Sequence, residues 1–291
     1  MKIRIAVSVA VPLGALVLAL GGSSARADLT YQGAVGLPLN PTAQIPLPGG
    51  VRLQGNYFDQ GNANGNNISV DSKLYGLYAA GRVAGTLELS GGVQNERNRQ
   101  TVFATRTSDN RTGFTLGAKY LFSRESDPAG VRLAVGGGYG DVDTFNANGR
   151  NFHGYIVGTK YLGTLVAGRA PITGHLGLRY DRFDFGSRVN RIRSNKGSVY
   201  AGVEVPFTRT GDFAFVGELQ SKNVNGGSVP YSASVRFRPA RAPFSASLGV
   251  ARQGFADSGF FAQLGYSFDT KKGDAAGGAS GTDTGGTMTG Q

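Results

Sequence analysis

The stretch 260-FFAQLGYSF-268 decides how this chain is read. Phe260, Ala262, Leu264, Tyr266 and Phe268 share one parity, and Gln263, Gly265 and Ser267 share the other. A period of two is that of a β-strand with one apolar and one polar face. From Asp269 onward the chain is Gly, Asp, Thr, Ser and Ala, with almost nothing to bury. Such a composition does not support a packed core. A strand this well formed, placed last, needs something for its apolar face to meet.

The same alternation recurs upstream. In 83-VAGTLELSGGV-93, Val83, Gly85, Leu87, Leu89, Gly91 and Val93 oppose Thr86, Glu88 and Ser90. In 112-TGFTLGAKYLF-122, Phe114, Leu116, Ala118, Tyr120 and Phe122 oppose Thr115 and Lys119. Similar patterns run through 131–140, 172–183 and 229–238. Long helical periodicity is absent, glycine is abundant at 47 residues, and there is no tryptophan. The alternation predicts strands at 50–58, 73–81, 83–94, 112–122, 131–140, 152–162, 172–183, 197–207, 212–221, 229–238, 244–252 and 259–268. The least clear is 152–162, whose two faces differ little.

The chain opens as an exported protein does. Lys2 and Arg4 precede an apolar run, and 25-ARA-27 follows small residues. That is a secretory signal peptide over 1–27, cleaved after Ala27. Beyond it, no stretch reaches the roughly 18 apolar residues of a spanning helix. With no cysteine there is neither a disulfide framework nor a lipid-attachment cysteine. The net charge is +11, and Lys2, Arg4 and Arg26 leave with the leader. Export makes nucleic acid an unsuitable partner for the remaining basic excess. Anionic glycans, lipopolysaccharide phosphates and small anions fit better.

Loop lengths supply a second signal. Polar links after the first, third, fifth and seventh predicted strands are long, while links such as 208-TRTG-211 and 239-PARAP-243 are short; the rule weakens toward the C-terminus, where the last odd link, near 254-GFADS-258, is short. Long loops on one rim and short turns on the other mark an outer-membrane barrel. Closure also removes the two edges that a long open sheet would expose. A soluble β-sandwich or propeller alternates too, but it explains less well the isolated charges set among Ser and Gly on the polar faces. The expected fold is therefore all-β, a transmembrane antiparallel β-barrel of about 12 strands in the bacterial outer membrane. It divides as 1–27 signal peptide, 28–49 Pro-rich segment, 50–268 barrel and 269–291 tail. Aromatics near strand ends (Tyr57, Tyr78, Phe122, Tyr139, Tyr180, Phe207, Phe237, Phe244, Phe260, Phe268) are expected in interfacial girdles.

The run 263-QLGYSF-268 resembles the C-terminal signature of bacterial outer-membrane β-barrels, a last strand ending on an aromatic. The resemblance makes Gly265, Tyr266 and Phe268 the signal read by the barrel insertion machinery. Phe268 departs from the pattern in not being terminal. A second likeness covers Gly36 to Phe58. There Pro41-Thr42-Ala43 and Pro48-Gly49-Gly50 are similar to the opening of outer-membrane proteins associated with exopolysaccharide production. Physically, the segment is extended and poor in pairing donors. It is expected in the lumen, at the periplasmic mouth, or as a linker.

On polar faces, Lys119, Arg132, Arg179, Arg236 and Arg238 outnumber Glu88, Glu204 and Glu218. If the lumen is open, they line an ion pathway that favours anions; if closed, they pair across it. Twelve strands about 4.8 Å apart, tilted about 40°, give a backbone diameter of about 24 Å and a bore of about 10 Å or less. Arg188, Arg191, Arg193 and Lys196 form a basic extracellular loop suited to phosphates of lipopolysaccharide or acidic polysaccharide. No cofactor or metal is expected: 141-DVDTFNANG-149 lacks the glycine of a calcium loop at its sixth place, and Phe152 replaces its closing Glu. Neither His153 nor His175 sits in a nucleophile motif. Six residues along one strand, about 20 Å, separate His175 from Asp181. The chain therefore reads as a non-enzyme: a narrow pore, or else a non-conducting structural or export-associated barrel.

Overall fold

The computed structural model describes residues 28–46, 49–65, 68–102, 105–123, 130–143, 148–164, 171–186, 191–222, 228–239, 242–253 and 257–269. The signal peptide expected at 1–27, residue Arg188 of the basic run, the centre of the calcium-like stretch and all of the tail after Asp269 lie outside these residues.

Twelve strands form one sheet: β1 (Gly50–Gly65), β2 (Ile68–Ala84), β3 (Leu87–Val102), β4 (Thr105–Leu121), β5 (Val131–Asp143), β6 (Asn148–Gly163), β7 (Ile172–Gly186), β8 (Arg191–Pro206), β9 (Phe213–Gln220), β10 (Tyr231–Phe237), β11 (Phe244–Arg252) and β12 (Gly259–Asp269). Each pairs antiparallel with its chain neighbours, and β12 closes on β1. The closing register runs from Gly50↔Asp269 to Phe58↔Phe261. The last strand thus supplies the hydrogen-bonding edge that completes the ring. Its Leu264 and Phe268 point outward and its Gln263, Gly265 and Ser267 point inward.

Outward positions carry large exposed apolar groups all round the wall, among them Leu77, Val93, Leu116, Leu178, Leu248 and Leu264 at 56–59% exposure. A soluble protein does not expose a continuous apolar belt of this kind. In hydrocarbon it is the favourable outer surface, and closure of β12 on β1 leaves the ring of strands no open edge there. A closed, even-numbered antiparallel barrel, apolar outside and polar inside, is a transmembrane barrel of the bacterial outer membrane. β1 begins and β12 ends on one rim, the periplasmic one of an even-stranded barrel. The links there are not shorter than those of the other rim, because the long loops expected on that other rim are largely strand. The other rim is uneven: β1–β8 have 13 to 17 residues, and β9–β12 have 7 to 11.

Several boundaries differ from those the alternation predicts. The polar stretches after the first and third strands are largely strand, with β1 and β2 paired up to Gly65↔Ile68 and β3 and β4 up to Val102↔Thr105. Above the membrane both faces meet water, so alternation disappears while the ladder continues. The basic run is likewise strand from Arg191 on, not loop. The turn expected at Gly81-Arg82 falls at Gly85-Thr86, where Gly85 has φ +45°. Val83 therefore belongs to β2 rather than to β3.

Tyr78 is not a girdle residue. It points inward and is buried, as are Tyr155 and Tyr200. Each stands directly opposite a glycine: Tyr78↔Gly92, Tyr155↔Gly136 and Tyr200↔Gly177. The glycines leave room for the rings to lie along the wall. A Cβ on Gly92 would stand 2.2 Å from Tyr78 Cδ1 and 2.7 Å from the Leu77 carbonyl. Gly92→Val is expected to cost about 1–3 kcal/mol through overpacking. It should lower the temperature at which the folded, fast-migrating electrophoretic form is lost; an unchanged temperature contradicts this packing.

Candidate functional site

Residues 28–46 occupy the lumen. The segment folds on itself through bridges Leu29↔Val35 and Gly36↔Pro41. Hydrogen bonds from Thr30 N to Ala34 O (2.7 Å), Tyr31 N to Pro38 O (3.0 Å) and Leu37 N to Asn40 O (2.9 Å) hold its turns. Gly33, at φ +89°, makes the first reversal. Its apolar side chains form the protein's buried clusters with inward wall residues. Ala43 and Ile45 pack with Leu121, Ala134, Tyr155, Val157 and Tyr200. Leu29 and Val35 pack with Tyr78 and Ala80, and Tyr31 and Leu39 with Phe58, Ala251 and Phe261. The Tyr31 ring stacks on Phe58 at 5.1 Å. The weak contrast between the faces of β6 now has its reason: Tyr155 and Val157 face inward because an apolar segment meets them there.

Wall polar groups satisfy the segment's backbone. Glu88 accepts from Val35 N (3.0 Å) and pairs with Lys119 at 2.9 Å. Lys119 Nζ in turn donates to the carbonyls of Val35 (2.9 Å) and Gln44 (2.5 Å). Glu218 accepts from Leu39 N (2.6 Å), Asn40 N (3.1 Å), Asn40 Nδ2 (3.1 Å) and the Ser232 hydroxyl (2.7 Å). Ala43 N donates to Thr159 Oγ1 at 2.9 Å, and the Tyr200 hydroxyl donates to Pro41 O at 2.9 Å. One chain of contacts ties both ends of the segment together. Asp28 meets Arg236 at 2.5 Å, Arg236 meets Glu204 at 3.0 Å, Glu204 meets His175 at 3.6 Å, and His175 bonds Thr159 at 2.9 Å. Asp28 also pairs with Arg52 and accepts from Ser245.

The structure therefore brings Glu88, Lys119, Glu204, Glu218 and Arg236 together around the segment. Arg238 joins them at 3.8 Å from Glu204. Arg132 lies near the periplasmic rim, 5.2 Å from the centre of the Tyr161 ring. Arg179 stands apart, above the segment, in two bonds of 2.8 and 2.7 Å to Asp181. Arg193, exposed on β8, is 3.5 Å from Asp184. Lys196 lies farther down the same strand, opposite Asp181. Gly265 serves the lumen as well, since a Cβ there would meet Arg52 Nη2 at 2.1 Å. Tyr266 and Phe268 pack ring on ring outside, 4.7 Å apart.

The sequence reading missed Asp28, Arg52, Gln54, Thr159 and Asp181 as members of the site. Strand parity places Arg52, Gln54 and Asp181 on the polar face, so these three were within reach; nothing local marks Asp28. With Asp28 and Asp181 included, Arg52, Lys119, Arg179, Arg236 and Arg238 face an equal number of carboxylates. Among the described residues no group of three or more His, Cys, Asp and Glu is placed to hold a metal ion.

Burial opposes ionisation of Asp28, but Arg236, Arg52 and Arg238 outweigh it and bring its carboxyl down from an ordinary 3.8 to about 2. A depressed pKa stabilises the seated segment above the ordinary value, and that contribution fades as the pH falls through about 2. The seat should lose about 2 kcal/mol between these limits. Accessibility of a cysteine placed at Leu29 to a thiol reagent, followed against pH, is expected to rise below pH 3.8 in the parent and to be flat there in Asp28→Asn.

No family model and no curated protein matches the chain. Solved structures similar to it include the translocator domain of autotransporter NalP from Neisseria meningitidis, at 12% identity and TM-score 0.49, covering 80% of this chain and 90% of that one. The KdgM porin in complex with disordered oligogalacturonate matches at 12% identity and TM-score 0.44, covering 75% and 99%. The transport unit of autotransporter AIDA-I from Escherichia coli matches at 12% identity and TM-score 0.46, covering 75% and 90%. None of these likenesses assigns a role to a residue of this chain.

Proposed function

We propose that the chain is an outer-membrane channel held shut by residues 28–46, and that it passes small, preferentially anionic solutes when the segment leaves. One observation carries this reading: the closing element is attached inside the lumen by ion pairs and hydrogen bonds, which water can replace once the segment withdraws. Its removal takes Asp28 away. The vacated zone then keeps Arg52, Lys119, Arg236 and Arg238 against Glu88, Glu204 and Glu218. The small positive excess favours anions weakly, and a bore of about 10 Å limits passage to ions and short, acidic glycans. His175 belongs to the frame of the segment, and the chain works without catalysis.

A second reading, a non-conducting structural or export-associated barrel, draws on burial. Leu29, Val35, Leu37, Thr42 and Ala43 are 0% exposed, as in a permanent core. Single-channel recording of residues 28–291 in a planar bilayer, under a salt gradient, separates the two. The gated channel gives long closed periods broken by discrete openings whose reversal potential leans toward anions. A folded barrel that never opens favours the structural role.

A further inference from the structure

We propose that the outer face of β6–β8 binds a phosphorylated, multiply acylated glycolipid of the outer leaflet, the lipid A portion of lipopolysaccharide. The register sets four outward rows across these strands. From the membrane upward they are Ile156–Leu178–Val199, Gly154–Tyr180–Gly197, Phe152–Arg182–Asn195 and Arg150–Asp184–Arg193. In the second row a glycine on each side of Tyr180 leaves a depression of about 520 Å³, walled by Val135, Ile156, Leu178 and Val199. That is within the range of about 300–1,000 Å³ usual for small-molecule sites. Its floor is open: a Cβ on Gly197 would meet nothing within 4 Å, and one on Gly154 only a carbonyl at 3.9 Å.

Height decides the occupant. Tyr180 stands level with the aromatic girdle, where Tyr139 and Phe152 lie 4.8 Å apart and Tyr139 and Phe114 5.8 Å apart. β1 begins and β12 ends at the opposite rim, the periplasmic one of an even-stranded barrel, so this end faces the outer leaflet. Below the girdle the only apolar material able to fill the depression is an acyl chain. Immediately above it, Arg150, Arg182 and Arg193 are exposed on the same outward face. Acids share that face, Asp143 at the end of β5 among them by parity. Asp184 lies 3.5 Å from Arg193, and Asp141, opposite Arg150, accepts from the Tyr139 hydroxyl at 2.9 Å. Arg182 has Phe152 and Asn195 as its register partners, not an acid. Exposed Lys222, next to the Ser221 that pairs with Val199, adds a cation at the edge. An apolar slot with guanidinium groups one and two rows above it matches a lipid whose head carries phosphates, which arginine binds through paired hydrogen bonds.

The test is native mass spectrometry of the mature protein with hexa-acylated bis-phosphorylated lipid A, with its dephosphorylated form, and with phosphatidylglycerol. Lipid A is expected to bind at least about tenfold more tightly than either of the others, because charge-assisted contacts are each worth about that factor or more. Arg182→Gln with Arg193→Gln should cost at least about tenfold for lipid A and leave the dephosphorylated lipid unchanged. Gly197→Leu fills the depression without touching the ladder and should weaken both glycolipids. The heat-dependent electrophoretic shift verifies that each variant is folded. Equal binding of phosphatidylglycerol, or unaltered lipid A binding in both folded variants, overturns the proposal.

Discussion

Under the proposed gating, Glu218→Gln is expected to raise the fraction of time the channel spends open by about a hundredfold. The carboxylate accepts four hydrogen bonds, three of them from Leu39 and Asn40 at the crest of the closing segment. Bonds to a charged group contribute about 1.5–3 kcal/mol each. The amide keeps one acceptor oxygen but turns an NH₂ toward groups that themselves donate. A net loss near 3 kcal/mol is about a hundredfold in the closed-to-open ratio. The backbone ladder of the wall is kept, because Gly217 and Glu218 still pair with Ala233 and Ser232, and the one wall contact changed is that of the Ser232 hydroxyl. Bilayer recordings should show openings far more often at an unchanged unit conductance. A closed fraction equal to the parent's contradicts the role given to Glu218.

The largest expected loss of stability is in Arg236→Met. Arg236 is 1% exposed and joins Asp28 of the segment to Glu204 of the wall. Its loss leaves Asp28 to Arg52 and Glu204 to Arg238 at 3.8 Å, and breaking a buried ionic cluster costs about 3–5 kcal/mol. The folded electrophoretic form should vanish at a markedly lower temperature. Arg236→Lys keeps the positive charge and should restore part of the loss. If Arg236→Lys is as unstable as Arg236→Met, the loss comes from side-chain packing and hydrogen-bond geometry and not from buried charge.

Much of the barrel was legible because a membrane wall writes itself in the sequence. Lipid demands one apolar face and the lumen tolerates a polar one, so Phe260 to Phe268 could be read residue by residue. The signal failed where that contrast fails. Toward the outer rim, β1 and β2 stay paired from Asp59 to Gly65 and from Ile68 to Asp71 without any apolar–polar alternation, and strand looks like loop. Inside, Tyr155 and Val157 meet an apolar segment rather than water, which blurred the faces of β6. The site was legible in part. Parity placed Glu88, Lys119, Glu204, Glu218 and Arg236 in the lumen, but what they hold was not visible. Their partners are mostly backbone groups of residues 35–44, which carry no side-chain signature.

The most direct test of a self-closed channel uses the absence of native cysteine. A Cβ on Gly202 would stand 2.2 Å from Leu37 Cδ1, so Leu37→Cys with Gly202→Cys places two thiols within bonding reach of each other. Single-channel current is recorded in one bilayer before and after reduction. Silence while oxidised and openings after reduction are the expected result. Openings of equal frequency in both states, with the disulfide verified by mass, would contradict closure by residues 28–46.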